Sequence, residues 1–201
     1  MREKQLIHKL YELGAIQFGS FTLKSGIESP IYLDLRVALS SPKLLVAIAE
    51  AMHEKIRGVK GDLLCGVPYT ALVLATAIST QHNLPMVMRR KEAKDYGTKK
   101  TIEGIFQPGQ SCIVVEDVIT SGKSIMETIQ PLQEVGLFVK DIVVLIDREQ
   151  GGKKFLESQG FNVHSVCAIS DILQELLREK KISASAVKEI HQFIQNHQTY
   201  A

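Results

Sequence analysis

The chain has 201 residues, of which 45% are hydrophobic and 23% charged, with a formal net charge of +2. These values fit one globular domain with a sizeable core, and the charge does not by itself imply a nucleic-acid partner. The longest apolar run, residues 71–75, is far too short to span a bilayer, and the N-terminal residues have an amphipathic helix pattern instead of that of a signal peptide.

The first sixty residues predict a small hood next to a larger core. A helix pattern covers residues 2–13, strand-like residues occupy 18–26 and 29–34, and a second helix pattern covers 42–57. Lys24 lies between strand-like residues and Gly26, where its side chain could reach an anion from the hood.

From residue 62 onward, strand and helix patterns alternate along the chain. The predicted strands cover 63–67, 86–90, 112–118, 142–147 and 163–168, and the predicted helices cover 70–82, 121–135, 151–159, 171–180 and 185–197. Pro131 is expected to kink or shorten the helix that contains it. The alternation indicates βαβ units and a mostly parallel sheet covered on both faces. We therefore predict one α/β domain, with about residues 1–60 as the hood and about 61–201 as the core.

The cysteines and histidines of the chain give no sign of a metal site. Cys65, Cys112 and Cys167 are widely spaced and each lies in an apolar stretch, which predicts buried free thiols in a reducing compartment such as the cytoplasm. The six histidines form no cluster with the spacing of metal ligands, so a zinc site has little support.

Residues 113–124 are the most informative segment of the sequence. A strand-like apolar run ends in two adjacent carboxylates, Glu116 and Asp117, and a loop of small and hydroxylated residues then opens a helix. Such a loop points backbone N–H groups and a helix N-terminus at one place, which suits a phosphate. Two acids beside a phosphate suit the hydroxyls of a sugar, so we predict a ribose phosphate site at the carboxyl end of this strand.

Two other interpretations of this segment have to be considered. Gly122-Lys123-Ser124 looks like the end of a P-loop, but the position of the first P-loop glycine is occupied by Asp117, so a nucleoside triphosphate cradle does not fit. The second interpretation is an ordinary strand–turn–helix junction with solvated acids. Two acids at the end of a buried strand are unfavourable without a ligand or partner, which favours the phosphate site.

Two loops next to other predicted strands add anion-binding residues. Residues 66–71 form a tight turn with hydroxyls that could hold a second anion or be a plain βα turn. Residues 89–100 hold six cations and two acids, and such basic loops close over anionic substrates, although a solvated loop or a nucleic-acid contact would have the same composition. Next to a phosphate site, we favour the anion clamp.

Arg148 follows the predicted strand over 142–147. Its planar guanidinium suits a carboxylate, and the alternative is an ion pair with Asp147 or Glu149. The sequence leaves these two interpretations open.

The segments 21–26, 90–97, 114–122 and 147–152 together resemble the orotate phosphoribosyltransferases of the type I phosphoribosyltransferase family. The segment 114–122 looks like the family motif for 5-phosphoribosyl 1-pyrophosphate (PRPP), and the match runs from about residue 10 to the end, being especially similar to the first domain of bifunctional UMP synthase. The resemblance implies the type I fold, a central mostly parallel sheet flanked by helices with a small N-terminal hood. It implies transfer of the 5-phosphoribosyl group of PRPP to N1 of orotate in UMP biosynthesis.

The resemblance also implies roles for individual residues. Lys94 and Asp117 would be catalytic, with Lys94 stabilising the departing charge. Glu116 and Asp117 would hold the ribose hydroxyls, and residues 120–124 the 5′-phosphate. The PRPP-binding residues would be Lys24, Tyr69, Thr70, Arg90, Lys91, Lys94, Tyr96, Glu116, Asp117, Val118, Ile119, Thr120, Ser121, Gly122, Lys123 and Ser124. The orotate-binding residues would be Tyr32, Leu33, Thr120 and Arg148.

By the same resemblance, Mg²⁺ would bind through substrate phosphates and ribose oxygens, with no direct protein ligand. A homodimer would share loop residues between its two sites. We expect no decarboxylase domain in this chain, and whether a separate orotidine 5′-monophosphate decarboxylase is a partner stays open. No nucleic acid or membrane is expected as a partner.

Three positions depart from the pattern of many bacterial members: Tyr96 replaces a histidine, Thr70 replaces a lysine, and Lys123 is larger than the usual residue. Two other functions compete with orotate transfer. The first is the same fold acting on another base, such as a purine, and Arg148 argues against it. The second is a PRPP-sensing, nucleic-acid-binding regulator without catalysis, and the intact loop lysines argue against that.

Overall fold

The computed structural model describes residues 3–23, 26–91 and 101–199. The strands are β1 (Ile16–Thr22), β2 (Glu28–Leu33), β3 (Leu63–Gly66), β4 (Met86–Arg89), β5 (Ile102–Glu103), β6 (Ser111–Ile119), β7 (Phe138–Asp147) and β8 (Asn162–Ala168). The helices are α1 (Glu3–Glu12), α2 (Pro42–Ile56), α3 (Thr70–His82), α4 (Lys123–Glu134), α5 (Gly152–Ser158), α6 (Ile169–Arg178) and α7 (Ala184–Asn196), with a short 3₁₀ helix at Leu35–Ser40. Each predicted strand and helix has a counterpart among these elements.

The central sheet has the strand order β5-β4-β3-β6-β7-β8. Neighbouring strands are parallel, except that β5 runs antiparallel to β4 at the edge. The prediction of a mostly parallel sheet is confirmed. Strand β5 was not predicted, because two residues are too few to show a periodic pattern.

Alternate residues of the central strands supply two separate hydrophobic clusters. Ile113 and Val115 of β6 belong to a cluster with side chains from α1, α2, α3, α6 and α7. Cys112 and Val114 belong to a second cluster, which includes side chains of α4 and α5. Both faces of the sheet are therefore covered, which explains why its strands have almost continuous apolar runs in the sequence.

The N-terminal residues form the predicted hood. Strands β1 and β2 make an antiparallel hairpin in which Ile16 pairs with Leu33, and its register is irregular between Phe18 and Phe21. Ile16 and Ile31 are buried in the first cluster, together with apolar residues of α1. The hood thus packs on the face of the sheet that also carries α2 and α7.

Two boundaries differ from the sequence-based expectations for clear physical reasons. Strand β7 begins at Phe138, four residues before the predicted start at 142. The prediction began too late because exposed residues such as Phe138 and Lys140 alternate with buried ones there and interrupt the apolar run. Helix α4 is not shortened at Pro131 but continues to Glu134. Its buried apolar residues, including Leu132 just after the proline, offset the missing backbone hydrogen bond.

The three cysteines are free and buried, as predicted. Burial raises the pKa of Cys65 to about 11 and that of Cys167 to about 12, and it also raises the pKa of Cys112. These thiols are therefore poor nucleophiles at neutral pH. Among the described residues, no helix combines the length and the apolar character that crossing a bilayer requires.

Candidate active site

Three loops leave the sheet at the carboxyl ends of three adjacent parallel strands. Residues 67–69 follow β3, residues 120–122 follow β6, and residues 148–151 follow β7. Backbone hydrogen bonds tie the loop starts to β6: the Val67 N–H donates to the Val115 carbonyl (2.9 Å), and the Arg148 N–H donates to the Ile119 carbonyl (3.0 Å). The fold therefore brings the predicted segments to one edge, where open α/β sheets bind their ligands.

The loop between β6 and α4 forms a seat for an anion. Gly122 has φ +82°, in the left-handed region that favours glycine, and α4 begins at the next residue. Within the described residues, the backbone N–H groups of Thr120, Ser121 and Gly122 donate to no other group. Unpaired N–H groups at the start of a 12-residue helix suit a phosphate, as the sequence predicts.

The two acids before this loop have different environments. Glu116 is 4% exposed. It accepts hydrogen bonds from the Ser124 hydroxyl at Oε2 (2.8 Å) and from the Asp117 N–H at Oε1 (3.0 Å). Burial, together with the neighbouring charge of Asp117, raises the pKa of Glu116 well above its ordinary value. The interpretation of an ordinary junction with solvated acids is therefore wrong for Glu116, because its side chain is buried and hydrogen-bonded within the protein.

Asp117 is only partly buried. Its Oδ1 accepts the N–H of Val118 (2.8 Å), and its carboxylate also has a side-chain hydrogen bond with the Glu116 carboxyl. The carboxylate is partly exposed, so a ligand can still reach it. Ser124 differs in this respect, since its hydroxyl already donates to Glu116, so a phosphate contact by Ser124 would have to come from its backbone.

Arg148 is a largely buried cation without a counterion among the described residues. Its Nη2 atom is inaccessible to solvent and has no hydrogen-bond partner there. Burial lowers the pKa of the guanidinium below its ordinary value. No ion pair with Asp147 or Glu149 is present, because Asp147 accepts the Glu149 N–H (2.8 Å) and Glu149 binds Ser170. The ion-pair interpretation is therefore wrong, and the positive charge of the guanidinium is not neutralised by any described residue.

The start of α5 packs tightly under the anion seat. The Gly152 N–H donates to the Thr120 carbonyl (2.9 Å). A Cβ atom at Gly152 would lie 2.5 Å from the Thr120 oxygen and 2.8 Å from the Gly122 nitrogen. Since these are backbone atoms of the seat, any side chain at position 152 has to displace it.

We expect Gly152→Ala to raise the Kd for inorganic phosphate about tenfold and to lower the free energy of unfolding by about 1–3 kcal/mol, the usual effect of overpacking. Isothermal titration with phosphate and denaturant unfolding measure the two values. Gly58→Ala is the control, because its Cβ would meet nothing within 4 Å and both values should stay unchanged. An unchanged Kd in Gly152→Ala would mean that the seat does not bind the phosphate.

The loop after β3 presents Tyr69 and Thr70 at the same edge. Tyr69 is 65% exposed, and Thr70 is the first residue of α3. The turn depends on Gly66, since a Cβ there would lie 2.4 Å from the Ala71 carbonyl oxygen. The Lys91 Nζ atom lies 5.4 Å from the centre of the Tyr69 ring, which places a cation of the basic loop beside this turn.

Other predicted site residues are engaged elsewhere or lie outside the described part of the chain. Arg90 forms an ion pair with Glu103 of β5 (Nη1 to Oε1, 3.2 Å), while its buried Nε has no partner among the described residues. Lys24, Lys94 and Tyr96 lie outside the described residues.

The hood residues predicted to bind orotate contact other hood residues. The Tyr32 ring stacks on Phe21 with 5.5 Å between centroids, and its hydroxyl accepts from Arg36 Nη2 (3.2 Å). Leu33 packs against the first hydrophobic cluster. No hydrogen bond joins the Tyr32 hydroxyl to Thr120 or Arg148 in the described part of the chain. Their role in base binding therefore stays a prediction.

Val118 and Ile119 differ in accessibility: Val118 is partly buried, whereas Ile119 is 1% exposed and pairs with Asp147 of β7. Ile119 can therefore contribute to a ligand site mainly through its backbone. Three further residues were not predicted as site residues: Gln150 belongs to the loop after β7, and Gly152 and Thr199 both contact the Thr120 carbonyl. In the sequence, the adjacent glycines Gly151 and Gly152 indicate close backbone packing, whereas no sequence pattern around Thr199 predicts its contacts.

Residues 38–163 match the family described as the phosphoribosyl transferase domain. The chain is 48% identical over 194 residues to uridine 5′-monophosphate synthase of Bos taurus, a match that covers 96% of this chain and 40% of the relative. It is 43% identical over 182 residues to orotate phosphoribosyltransferase of Chlamydia pneumoniae, which covers 90% of this chain and 87% of the relative. The solved structure of Leishmania donovani UMP synthase matches with a TM-score of 0.88 and 33% identity, over 98% of this chain and 43% of that one.

The fold, the strand-end site and this family match define the class: the chain belongs to the phosphoribosyltransferase family. The type I fold expected from the resemblance is confirmed. Within the family, the chain is an orotate phosphoribosyltransferase homologue, and it spans about two fifths of the length of the UMP synthases that it matches.

Proposed function

We propose that this chain transfers the 5-phosphoribosyl group of PRPP to N1 of orotate, giving orotidine 5′-monophosphate and pyrophosphate on the route to UMP. The observation that carries the proposal is the largely buried guanidinium of Arg148, whose Nη2 has no partner among the described residues and whose backbone N–H donates to Ile119, next to the anion seat of residues 120–122. Orotate carries a carboxylate on its ring, and a planar guanidinium recognises that group in two-pronged geometry. A purine base has no carboxylate and would leave the cation unpaired, so Arg148 disfavours a purine substrate.

The residues at the strand ends account for most of the chemistry. The N–H groups of residues 120–122 bind the 5′-phosphate, and Asp117 accepts hydrogen bonds from the ribose hydroxyls. As the bond to pyrophosphate breaks, positive charge develops on the ribose ring, and the carboxylate of Asp117 stabilises it. Orotate N1 attacks as an anion, so the reaction needs no strong general base. Catalysis rests on holding two anionic reactants together and on stabilising the leaving group.

We also propose that the reaction requires Mg²⁺. Mg²⁺ keeps several of its waters when bound, and the partly exposed Asp117 carboxylate and Thr120 hydroxyl offer oxygen atoms that those waters could donate to. The ion would be held mainly by the pyrophosphate and ribose oxygens, with no direct protein ligand, and would neutralise charge on the leaving group. By resemblance, Lys94 assists at the same place.

Three wider proposals follow from the family membership. A homodimer would let the loop that begins with Arg90 and Lys91 reach the neighbouring site. A cytoplasmic location agrees with the three free, buried cysteines. Because the relatives include UMP synthases that are longer than this chain, a decarboxylase acting on orotidine 5′-monophosphate is proposed as the functional partner.

The test follows the ultraviolet absorbance of orotate as the purified protein meets PRPP and Mg²⁺, with uracil and hypoxanthine in parallel. We expect orotate to be consumed, the loss to require Mg²⁺, and added pyrophosphate to reverse it. Conversion of hypoxanthine or uracil instead of orotate would contradict the assignment of Arg148. Tight PRPP binding without conversion of any base would point to a regulator in place of an enzyme.

A further inference from the structure

The loop that carries Arg148 is tied to the anion seat on one side. Besides the Arg148 N–H, which donates to the Ile119 carbonyl, the Gly152 N–H donates to the Thr120 carbonyl. Between these two bonds the backbone takes left-handed conformations, with φ +56° at Glu149 and φ +100° at Gly151. Glycine adopts such a conformation readily, but Glu149 does not, so the loop needs support from its surroundings at Glu149.

That support comes from the residues after α7, which we call the C-terminal strap (residues 197–199). The Thr199 N–H donates to the Gln150 carbonyl (2.8 Å), and the Gln198 Nε2 donates to the Glu149 carbonyl (2.9 Å). In the opposite direction, the Gln150 Nε2 donates to the His197 carbonyl (3.0 Å). Each strap residue is therefore hydrogen-bonded to the loop next to Arg148.

Thr199 contacts both substrate-facing loops at once. Its Oγ1 lies 2.6 Å from the Gln150 carbonyl oxygen and 3.3 Å from the Thr120 carbonyl oxygen, so its hydroxyl donates between the two. The contact is close, because a Cβ at Gly151 would lie 2.5 Å from the Thr199 carbonyl oxygen. Gln150, beneath the strap, is only 4% exposed. The strap is thus in close contact with the loop at Gly151.

We propose that Thr199 is a positioning residue for the base. It holds the Arg148 loop (residues 148–151) against the anion seat (residues 120–122), so that the guanidinium binds orotate in a fixed orientation relative to the bound PRPP. This inference rests on the proposed function. Thr199 has no role in the chemistry itself. It acts through the two carbonyl groups that it contacts, and its effect should therefore fall on orotate recognition more than on PRPP binding.

The test compares Thr199→Val, which keeps the side-chain shape but loses the hydroxyl, with Thr199→Ser, which keeps the hydroxyl. We expect Thr199→Val to raise the KM for orotate about fivefold, the effect of one net hydrogen bond, while the KM for PRPP changes less than twofold. Thr199→Ser should restore the KM for orotate. Amide exchange at Arg148 and Gly152 should be faster in Thr199→Val than in the unchanged protein.

Ser183→Ala is the matched control for stability, because Ser183 caps the other end of α7 through the Ala186 N–H (3.2 Å). If Ser183→Ala raises the KM for orotate as much as Thr199→Val does, the effect is one of general stability and the proposal is overturned. Equal changes for orotate and PRPP, or no change in either KM, also overturn it. If the unchanged protein does not consume orotate, the proposed function fails. The amide exchange rates of Arg148 and Gly152 then test separately whether the strap orders the loop. Unaltered rates in Thr199→Val would show that Thr199 does not order it.

Discussion

Replacing Asp117 by Asn should lower turnover by roughly 10²–10³-fold, the range seen when one electrostatic stabiliser is removed. The carboxylate of Asp117 accepts the Val118 N–H, has a side-chain hydrogen bond with the Glu116 carboxyl, and is partly exposed to a ligand. Asn preserves the size of the side chain but removes the negative charge that opposes the developing positive charge of the ribose ring. The loss should therefore appear in kcat, with a smaller change in the KM for PRPP.

Glu116→Gln is the matched control, and it should lower turnover by about tenfold at most. Burial and the neighbouring Asp117 raise the pKa of Glu116, which favours its neutral form, and Gln has nearly the same shape and hydrogen-bonding groups as a protonated Glu. Gln can accept from the Asp117 N–H and donate to the Ser124 hydroxyl. Equal losses in the two variants, or near-normal turnover in Asp117→Asn, would contradict the division of roles between the acids.

Replacing Arg148 by Lys should raise the Kd for orotate by about 10–100-fold and leave the Kd for PRPP nearly unchanged. Lys keeps a positive charge but loses the two-pronged geometry, and hydrogen bonds to charged groups contribute about 1.5–3 kcal/mol. Isothermal titration with each substrate measures the two affinities. Because Nη2 of Arg148 has no partner among the described residues, Arg148→Met should not lower the melting temperature of the ligand-free protein.

Arg57→Lys provides the control for this exchange, since Arg57 lies on the surface in an ion pair with Glu54 and should change neither affinity. Two results would show that Arg148 is structural. One is an equal loss of affinity for orotate and PRPP in Arg148→Lys, and the other is a large fall in the melting temperature of Arg148→Met.

Much of the fold could be predicted from the sequence, because long apolar runs and their separation by helix patterns determine a parallel sheet. The exceptions have local causes. The first half of β7 alternates exposed and buried residues, and β5 has only two residues and depends on pairing with β4. The helix through Pro131 continues because buried contacts on both sides of the proline outweigh one lost hydrogen bond.

The candidate site could be predicted where its residues are consecutive. Glu116, Asp117 and the loop to Gly122 stand together in the chain, so their chemistry is visible in the sequence. The sequence could not decide whether Arg148 pairs with a neighbouring acid, because that depends on which groups the loop buries. The contact of Thr199 with Thr120 joins residues 79 positions apart, and no local pattern reports it.

The most direct test of the account is a crystal structure of the protein with orotidine 5′-monophosphate bound. We expect the orotate carboxylate within hydrogen-bond distance of Arg148 Nη2, the phosphate on the N–H groups of residues 120–122, and a ribose hydroxyl on Asp117. A base placed away from Arg148, with Nη2 still unpartnered, or a phosphate bound outside the β6–α4 loop, would contradict the proposed site.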